Sequence, residues 1–206
     1  MIAVTFALPQ ESRDFLHALR HAGGSGCGPF VLGNLGLAEI VVAHTGVGRA
    51  AAEKTVRALL AAHRPQKLIA AGFAGALDPR LRVGDIIEAG LVTRDVAAET
   101  PEAKAQLASE TGARAVDMET SAIAAVCAEN GVPLQIVRAI SDTAHAPLPL
   151  PFAVSYDLAA QCPRPLAVVR HLLDDPTAII PLGLFIRDLA TARAALTARL
   201  LEVCAL

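Results

Sequence analysis

Three carboxylates and two glycine-bearing turns are the residues of this 206-residue chain whose types and spacing could do chemistry. Glu11 follows an apolar run at 2–8, and Asp142, preceded by Ser141, closes another at 134–140. Glu119 stands in Asp117-Met118-Glu119, where an alanine-rich helix begins. Thr45-Gly46-Val47-Gly48 and Phe73-Ala74-Gly75 each follow an apolar run. Each has two readings. The acidic helix start is either a cap that suits the helix dipole or a carboxylate accepting two sugar hydroxyls, with Met118 packed on an apolar sugar face. Ser141-Asp142 is either a turn cap or a general acid that protonates a leaving group. The turn Thr45–Gly48 is either a tight connection or a row of backbone N–H groups holding an anion or a ribose oxygen.

Several other chemistries are excluded. The turn at 45–48 is not a P-loop, and Ala51 stands where a dinucleotide fingerprint needs its third glycine. There is no G-x-S-x-G nucleophile elbow. The six histidines have no metal-ligand spacing, and His145 reads as a solvated loop residue. Neither a metal nor a cofactor is expected.

The elements that must position these residues follow from hydrophobic pattern and punctuation. Strands are expected at 2–8, 39–45, 68–72, 86–93 (weakened by Gly90) and 134–140. Helices are expected at 12–21 with Ser12 as N-cap, at 49–63, from Pro101 to Gly112 with Thr100 as cap, at 117–130, at 165–173 and at 183–204. Glycine-rich 23–29 reads as a turn, and proline-rich 144–151 as irregular. Strands alternating with helices, with few hairpin signals, predict an α/β fold on a mainly parallel sheet. In such a sheet ligands bind beyond the carboxyl ends of the strands, and the candidate residues sit there.

Composition bounds the class. Apolar residues make up 53% of the chain and charged residues 18%, which excludes a disordered chain. The mean hydropathy of +0.47 raises the question of a membrane. Pro147, Pro149, Pro151 and Pro181 break the long uncharged runs below the ~18–20 residues a spanning helix needs. The surplus then points to buried strands or an oligomer interface. A net charge of −2 and the lack of Trp argue against a nucleic-acid partner. Cys27, Cys127, Cys162 and Cys204 lie far apart and read as reduced, mostly buried thiols of a cytoplasmic protein. The first residues carry no basic region, so a signal peptide is not expected. No repeat or domain boundary is visible. The expected organisation is one domain over 1–206 with a helical tail from about 165.

Read together, ALPQE (7–11), HTGVGRAAAEKTVRALL (44–60), AGFAGALDPRLRVGDII (71–87) and AVDMETSAIAAVCAENGVPLQIVRAISD (115–142) resemble the purine nucleoside phosphorylase and methylthioadenosine/S-adenosylhomocysteine nucleosidase superfamily. The resemblance covers roughly residues 1–145. The short middle and helical tail resemble its compact hopanoid-associated phosphorylase-like branch. The resemblance implies a nucleoside phosphorylase-like domain with a mixed, mostly parallel central sheet flanked by helices. It implies that Glu119 binds the ribose 2′- and 3′-hydroxyls, Met118 packs on the ribose, and Asp142 protonates the purine N7. Glu11 would orient and activate the attacking water. Phe73, Ala74, Gly75 and Ser141 would line the nucleoside pocket, with Thr45 and Gly46 in the adjoining turn. Asp142 must then hold a proton when substrate is bound, so apolar surroundings are expected for it, while Glu11 and Glu119 are expected to stay ionised.

Three departures from the family pattern matter. Phe73 replaces a small polar residue. Arg13 is the only arginine near the first strand that could meet phosphate. The segment between Ile87 and Val92 is short, so the base-sandwiching aromatic is missing and Ala97 and Ala98 stand near its place. The expected activity is cleavage of the N-glycosidic bond of a purine nucleoside, adenine above all, carrying a 5′-substituent, by water. The alternatives are a phosphate-dependent phosphorylase, base release from an adenosyl-lipid, and a non-catalytic nucleoside-binding protein. The expected partners are a small purine nucleoside, with phosphate as a further candidate, and a second copy in a homodimer that helps complete the pocket.

Overall fold

The computed structural model describes residues 1–24 and 30–205. The chain runs β1 (Ile2–Phe6), α1 (Pro9–Ala18), β2 (Arg20–Gly24), β3 (Phe30–Leu35), β4 (Ala38–His44), α2 (Arg49–His63), β5 (Lys67–Ala76), β6 (Ile86–Ile87) and β7 (Leu91–Thr93). It continues through α3 (Pro101–Thr111), β8 (Ala115–Asp117), α4 (Thr120–Glu129), β9 (Leu134–Asp142), α5 (Phe152–Ser155), β10 (Tyr156–Asp157), β11 (Cys162–Pro163), α6 (Pro165–Asp174) and α7 (Ile179–Ala205).

The sheet is parallel at its centre, where β4, β1, β5 and β9 lie side by side. Its edges are antiparallel: β2 and β3 extend it beyond β4, and β6 pairs with β9. The long β5 does two jobs. Its first half runs between β1 and β9, and Gly75 and Ala76 at its end pair with β8, which carries β7. This is one α/β domain with helices on both faces of a mixed sheet.

Strand residues alternate between the two faces, as a pleated strand requires, and both faces are covered. Val4, Phe6, Ile69, Ala71 and Val137 pack under Phe15 of α1 and Leu196 and Leu200 of α7. Ala3, Val41, Leu68 and Ala70 pack under Val56 and Leu59 of α2 and Ile123 and Val126 of α4. Burial on both sides explains why these strands read as unbroken apolar runs.

Several expected boundaries move. α1 begins at Pro9, not Ser12, because Pro9 fits the first helical turn and the Glu11 carboxylate accepts the Leu8 N–H. Ser12 is buried instead and pairs with His44 Nε2 at 2.7 Å. The stretch expected as a helix over 117–130 first ends a strand. α4 starts only at Thr120, whose N–H donates to Asp117 Oδ2 at 3.1 Å. The strand expected at 86–93 divides around Gly90, whose positive φ turns the chain. α7 starts at Ile179 rather than 183. The antiparallel edge β2–β3–β4 is an addition; its second turn uses Gly36 in the left-handed region. Cys127 and Cys204 are buried free thiols, Cys162 is exposed, and Cys27 lies outside the described residues, as does most of the glycine-rich turn. Among the described residues no helix is long and apolar enough to cross a membrane.

Candidate active site

The carboxyl ends of β1, β4 and β9 and the second half of β5 converge on a cavity of about 190 Å³. Glu11, Phe73, Ala74, Gly75, Met118, Glu119, Ser141 and Asp142 all line it. The sequence separates these residues by up to 131 positions; the parallel topology brings them together because each follows or ends a strand pointing the same way. Thr45 and Gly46 do not line the cavity. The Thr45 hydroxyl turns inward to donate to the Phe6 and Gly46 carbonyls, and Gly46 lies beneath Gln161, whose Oε1 a Cβ there would overlap. Val47, one residue on, reaches the cavity instead.

Glu11 is 5% exposed. Its Oε2 accepts the Leu8 N–H at 2.9 Å and its Oε1 accepts the Phe73 N–H at 3.1 Å. Burial pushes its carboxyl above the ordinary range, against the opposing pull of these N–H groups and of Arg138. Glu119, also 5% exposed, accepts the Gly48 N–H at 2.8 Å. Burial raises its carboxyl to about 7; Arg138 and the Gly48 N–H oppose this, while the charges of Asp117 and Glu11 add to it. Burial thus works against the ionisation expected of both, because a buried carboxylate loses its hydration and here only part of the loss is returned.

Arg138 is one residue that sequence reasoning missed. It is fully buried, and its Nη2 lies 2.7 Å from Asp117 Oδ2 and 3.8 Å from Glu119 Oε2. It also donates to the Thr120 hydroxyl at 3.0 Å and the Ala71 carbonyl at 3.3 Å. The signal was present, since it is the one charge inside the otherwise apolar run 134–140. Gly72 makes room for it: a Cβ there would overlap Arg138 Nη1 and come within 3.2 Å of Glu11 Oε1. Arg13, by contrast, is exposed and lines a groove with Pro9, Gln10 and His17, not this cavity.

Asp142 is held at both oxygens. Ser141 Oγ donates to Oδ1 at 2.6 Å, and the buried Lys104 of α3 donates to Oδ2 at 2.5 Å. The apolar surroundings expected of Asp142 are corrected, because its partner is an ammonium.

The backbone donors of the turn at 46–48 are committed. Gly46 N–H donates to the Ala7 carbonyl, Val47 N–H to Gln161 Oε1 at 2.8 Å, and Gly48 N–H to Glu119. Gln161, from the hairpin β10–β11, returns its Nε2 to the Val47 carbonyl at 2.9 Å. Ala97 and Ala98 do line the cavity, and Val116, Leu148, Phe152 and Phe185 supply the apolar bulk. Phe185 comes from the first turns of α7. A second cavity, about 350 Å³, shares Val96, Ala97, Met118 and Phe152 with the first and continues to Tyr156, Leu158 and Arg164.

A buried cluster of carboxylates around one guanidinium, at the strand ends of a mixed α/β sheet and beside an apolar slot, defines the class. The profile of the Phosphorylase superfamily matches residues 1–89 and 91–174, and the chain belongs to that superfamily. Among curated proteins, the 5′-methylthioadenosine/S-adenosylhomocysteine nucleosidase of Treponema pallidum (strain Nichols) is 38% identical over 77 residues, 37% of this chain. That alignment spans only 29% of the Treponema protein's length. The enzyme of the same name from Tolumonas auensis is 26% identical over 190 residues, covering 66% of this chain and 82% of that protein. Among solved structures, the nucleosidase of that name from Neisseria meningitidis, in complex with methylthio-immucillin-A, superposes with a TM-score of 0.74 at 19% identity. It covers 100% of this chain and 99% of its own.

Proposed function

We propose that the chain is a nucleosidase that cleaves the N-glycosidic bond of a purine nucleoside with a 5′-substituent, using water. The observation that carries this reading is the meeting of buried Glu11 and Glu119 with Asp142 in one cavity. Such a bond breaks through a transition state with positive charge on the sugar and negative charge on the departing base. Glu119 accepts the ribose hydroxyls and Met118 packs on the sugar. Glu11, made more basic by burial, takes a proton from the attacking water, and both carboxylates stabilise the charged ring. Asp142 passes a proton to the purine N7. Val116, Leu148, Phe152 and Phe185 clasp the base in place of the missing aromatic. The 5′-substituent extends past Met118 into the second cavity. The names of the relatives support adenine as the base.

Water is favoured over phosphate as nucleophile for three reasons. Glu11 and Glu119 would repel a dianion, Arg138 is already engaged by Asp117, and the turn's backbone donors are occupied. The test is adenine release from a 5′-substituted adenosine in phosphate-free buffer. Strict dependence on phosphate would overturn the hydrolytic reading, and an absence of release from every adenine nucleoside tried would overturn the enzyme.

A second reading, in which the 5′-substituent is a lipid, is favoured by exposed Val96 and Leu158 in the outer cavity wall. A higher kcat/KM for a long 5′-alkylthio nucleoside than for the methylthio one would select it. A homodimer belongs to the proposal as well, supported by exposed Leu166, Leu173, Ile179 and Ile180 on α6 and the start of α7. Sedimentation showing only the 21.3 kDa monomer would remove it. Buried Cys127 and Cys204, whose thiols burial raises to about 11, are inert and consistent with a cytoplasmic location.

A further inference from the structure

Lysine is among the residues least often fully buried, because its ammonium is strongly hydrated. Lys104 is 0% exposed. It stands at the fourth position of α3, whose start is fixed by the Thr100 cap and Pro101. An ammonium has three donors, and all three are used: Asp142 Oδ2 at 2.5 Å, the Thr143 carbonyl at 2.8 Å and the Ala146 carbonyl at 2.8 Å.

The neighbouring residue Glu99 works on the same loop. Its carbonyl accepts the Leu148 N–H at 2.8 Å, and its carboxylate accepts the Phe152 N–H at 2.7 Å. The segment 99–104 thus grips the proline-rich stretch 142–152 at five points, from the acid at one end to Phe152 at the other. Asp142 ends β9 and is paired with Gly75, but the chain from 143 to 151 has no sheet or helix bonds, so the grip sets where the Asp142 carboxylate is held and where Leu148 and Phe152 stand.

We infer that Lys104 is the positioning residue for Asp142, holding its carboxyl group toward the leaving base and stabilising the carboxylate that the reaction creates. This rests on the nucleosidase reading above. As the glycosidic bond breaks, its electron pair goes to the purine. An O–H bond breaks at Asp142, an N–H bond forms at N7, and the base leaves neutral. The charge left on Asp142 appears opposite the fixed ammonium, and the Ser141 hydroxyl takes the other oxygen. The contact in the structure places the ammonium where that charge develops, and the next proton is taken up from solvent. A preorganised charge aimed at the place where charge develops lowers the barrier to the chemical step more than it tightens substrate binding.

The test compares Lys104→Met, Asp142→Asn and the double variant by steady-state adenine release. The expected result is a fall in kcat of about 100-fold for Lys104→Met, within the range typical of acid catalysis, with KM changed by less than about threefold. Because Lys104 acts through Asp142, the double variant should match Asp142→Asn within about threefold rather than multiply the two losses. Lys104→Arg, which keeps the charge, should recover part of kcat. A Lys104→Met enzyme with wild-type kcat, or losses that multiply in the double variant, would overturn the inference. Should Lys104→Met fail to fold because it strands the Asp142 carboxylate, the double variant against Asp142→Asn decides alone: equal rates support the role and a further loss overturns it. Wild-type protein that releases no purine would instead overturn the nucleosidase reading, so the two failures are distinguishable.

Discussion

Arg138 Nη2 lies 2.7 Å from Asp117 Oδ2, and both side chains are 1% exposed. This pair joins the middle of β9 to the end of β8 and so fixes the distance between two strands that do not pair with each other. It also sets the electrostatics of the cavity. One guanidinium faces Asp117, Glu119 and Glu11, so the cluster holds more acidic than basic groups in a place with little water. Burial alone would disfavour the guanidinium's charge, and the three carboxylates outweigh that cost.

Replacing Arg138 by Met should therefore destabilise the protein strongly. Among the described residues, the substitution leaves buried Asp117 with only the N–H and hydroxyl of Thr120 and the Thr93 hydroxyl as partners of its side chain. Removing one partner of a buried ion pair costs roughly 3–5 kcal/mol. Urea unfolding at pH 7 measures it, and a loss below about 1 kcal/mol would show that the network contributes little to stability.

The parallel core and most of the cavity lining were legible in the sequence, because both depend on local order: an apolar run, then a glycine or a carboxylate. Glu11, Met118, Glu119, Ser141 and Asp142 follow that order. What was not legible depends on residues that come from elsewhere to line the cavity, as Phe185 does, or to brace its lining, as Lys104 and Gln161 do. Lys104 sits on α3, of which only the bounds and a cap were legible. Gln161 comes from a short hairpin with no apolar pattern, and Phe185 from a helix more than 40 residues beyond the last recognisable motif. Thr45 and Gly46 were expected at the cavity because the turn was identified correctly; which residue of a tight turn faces inward is set by packing, here by Gln161.

The Glu119 carboxyl gives a pH signature. Its value is about 7 in the folded protein against 4.5 unperturbed, so between these values the folded chain holds a proton that the unfolded chain has lost. Stability from this group is full below pH 4.5 and is lost as pH rises through 7. Wild-type stability should therefore fall relative to Glu119→Gln between pH 5 and pH 8, by about 3 kcal/mol at most. Chemical denaturation of both proteins at several pH values in that interval measures the difference; a constant difference would place the carboxyl near its ordinary value.

Gly72→Ala tests the close approach on β5. A Cβ there overlaps Arg138 Nη1, and the backbone φ of +151° is one that side chains rarely adopt. The guanidinium has no room to retreat, since Asp117, Thr120 and the Ala71 carbonyl hold it. The substitution should lower stability by roughly 2–4 kcal/mol and abolish base release. Unfolding curves and an activity assay check both, and wild-type behaviour in either would mean that β5 can shift to accommodate the methyl group.

Phe185 tests how the base is held. It reaches the cavity from α7, touches none of the carboxylates through a hydrogen bond, and offers only apolar contact. Contacts of this kind are the same in the ground state and the transition state, so their removal raises KM and leaves kcat nearly unchanged. Phe185→Ala exposes the cavity to water from the α7 side and removes apolar area worth about 1–3 kcal/mol. KM for a 5′-substituted adenosine should then rise on the order of 10–100-fold, with kcat within about threefold of wild type. Phe185 holds the base and Lys104 supports its departure, so Phe185→Ala and Lys104→Met should move different constants. A fall in kcat with KM unchanged for Phe185→Ala would show that α7 instead positions the reacting groups, and the base would have to be held by Leu148 and Phe152 alone.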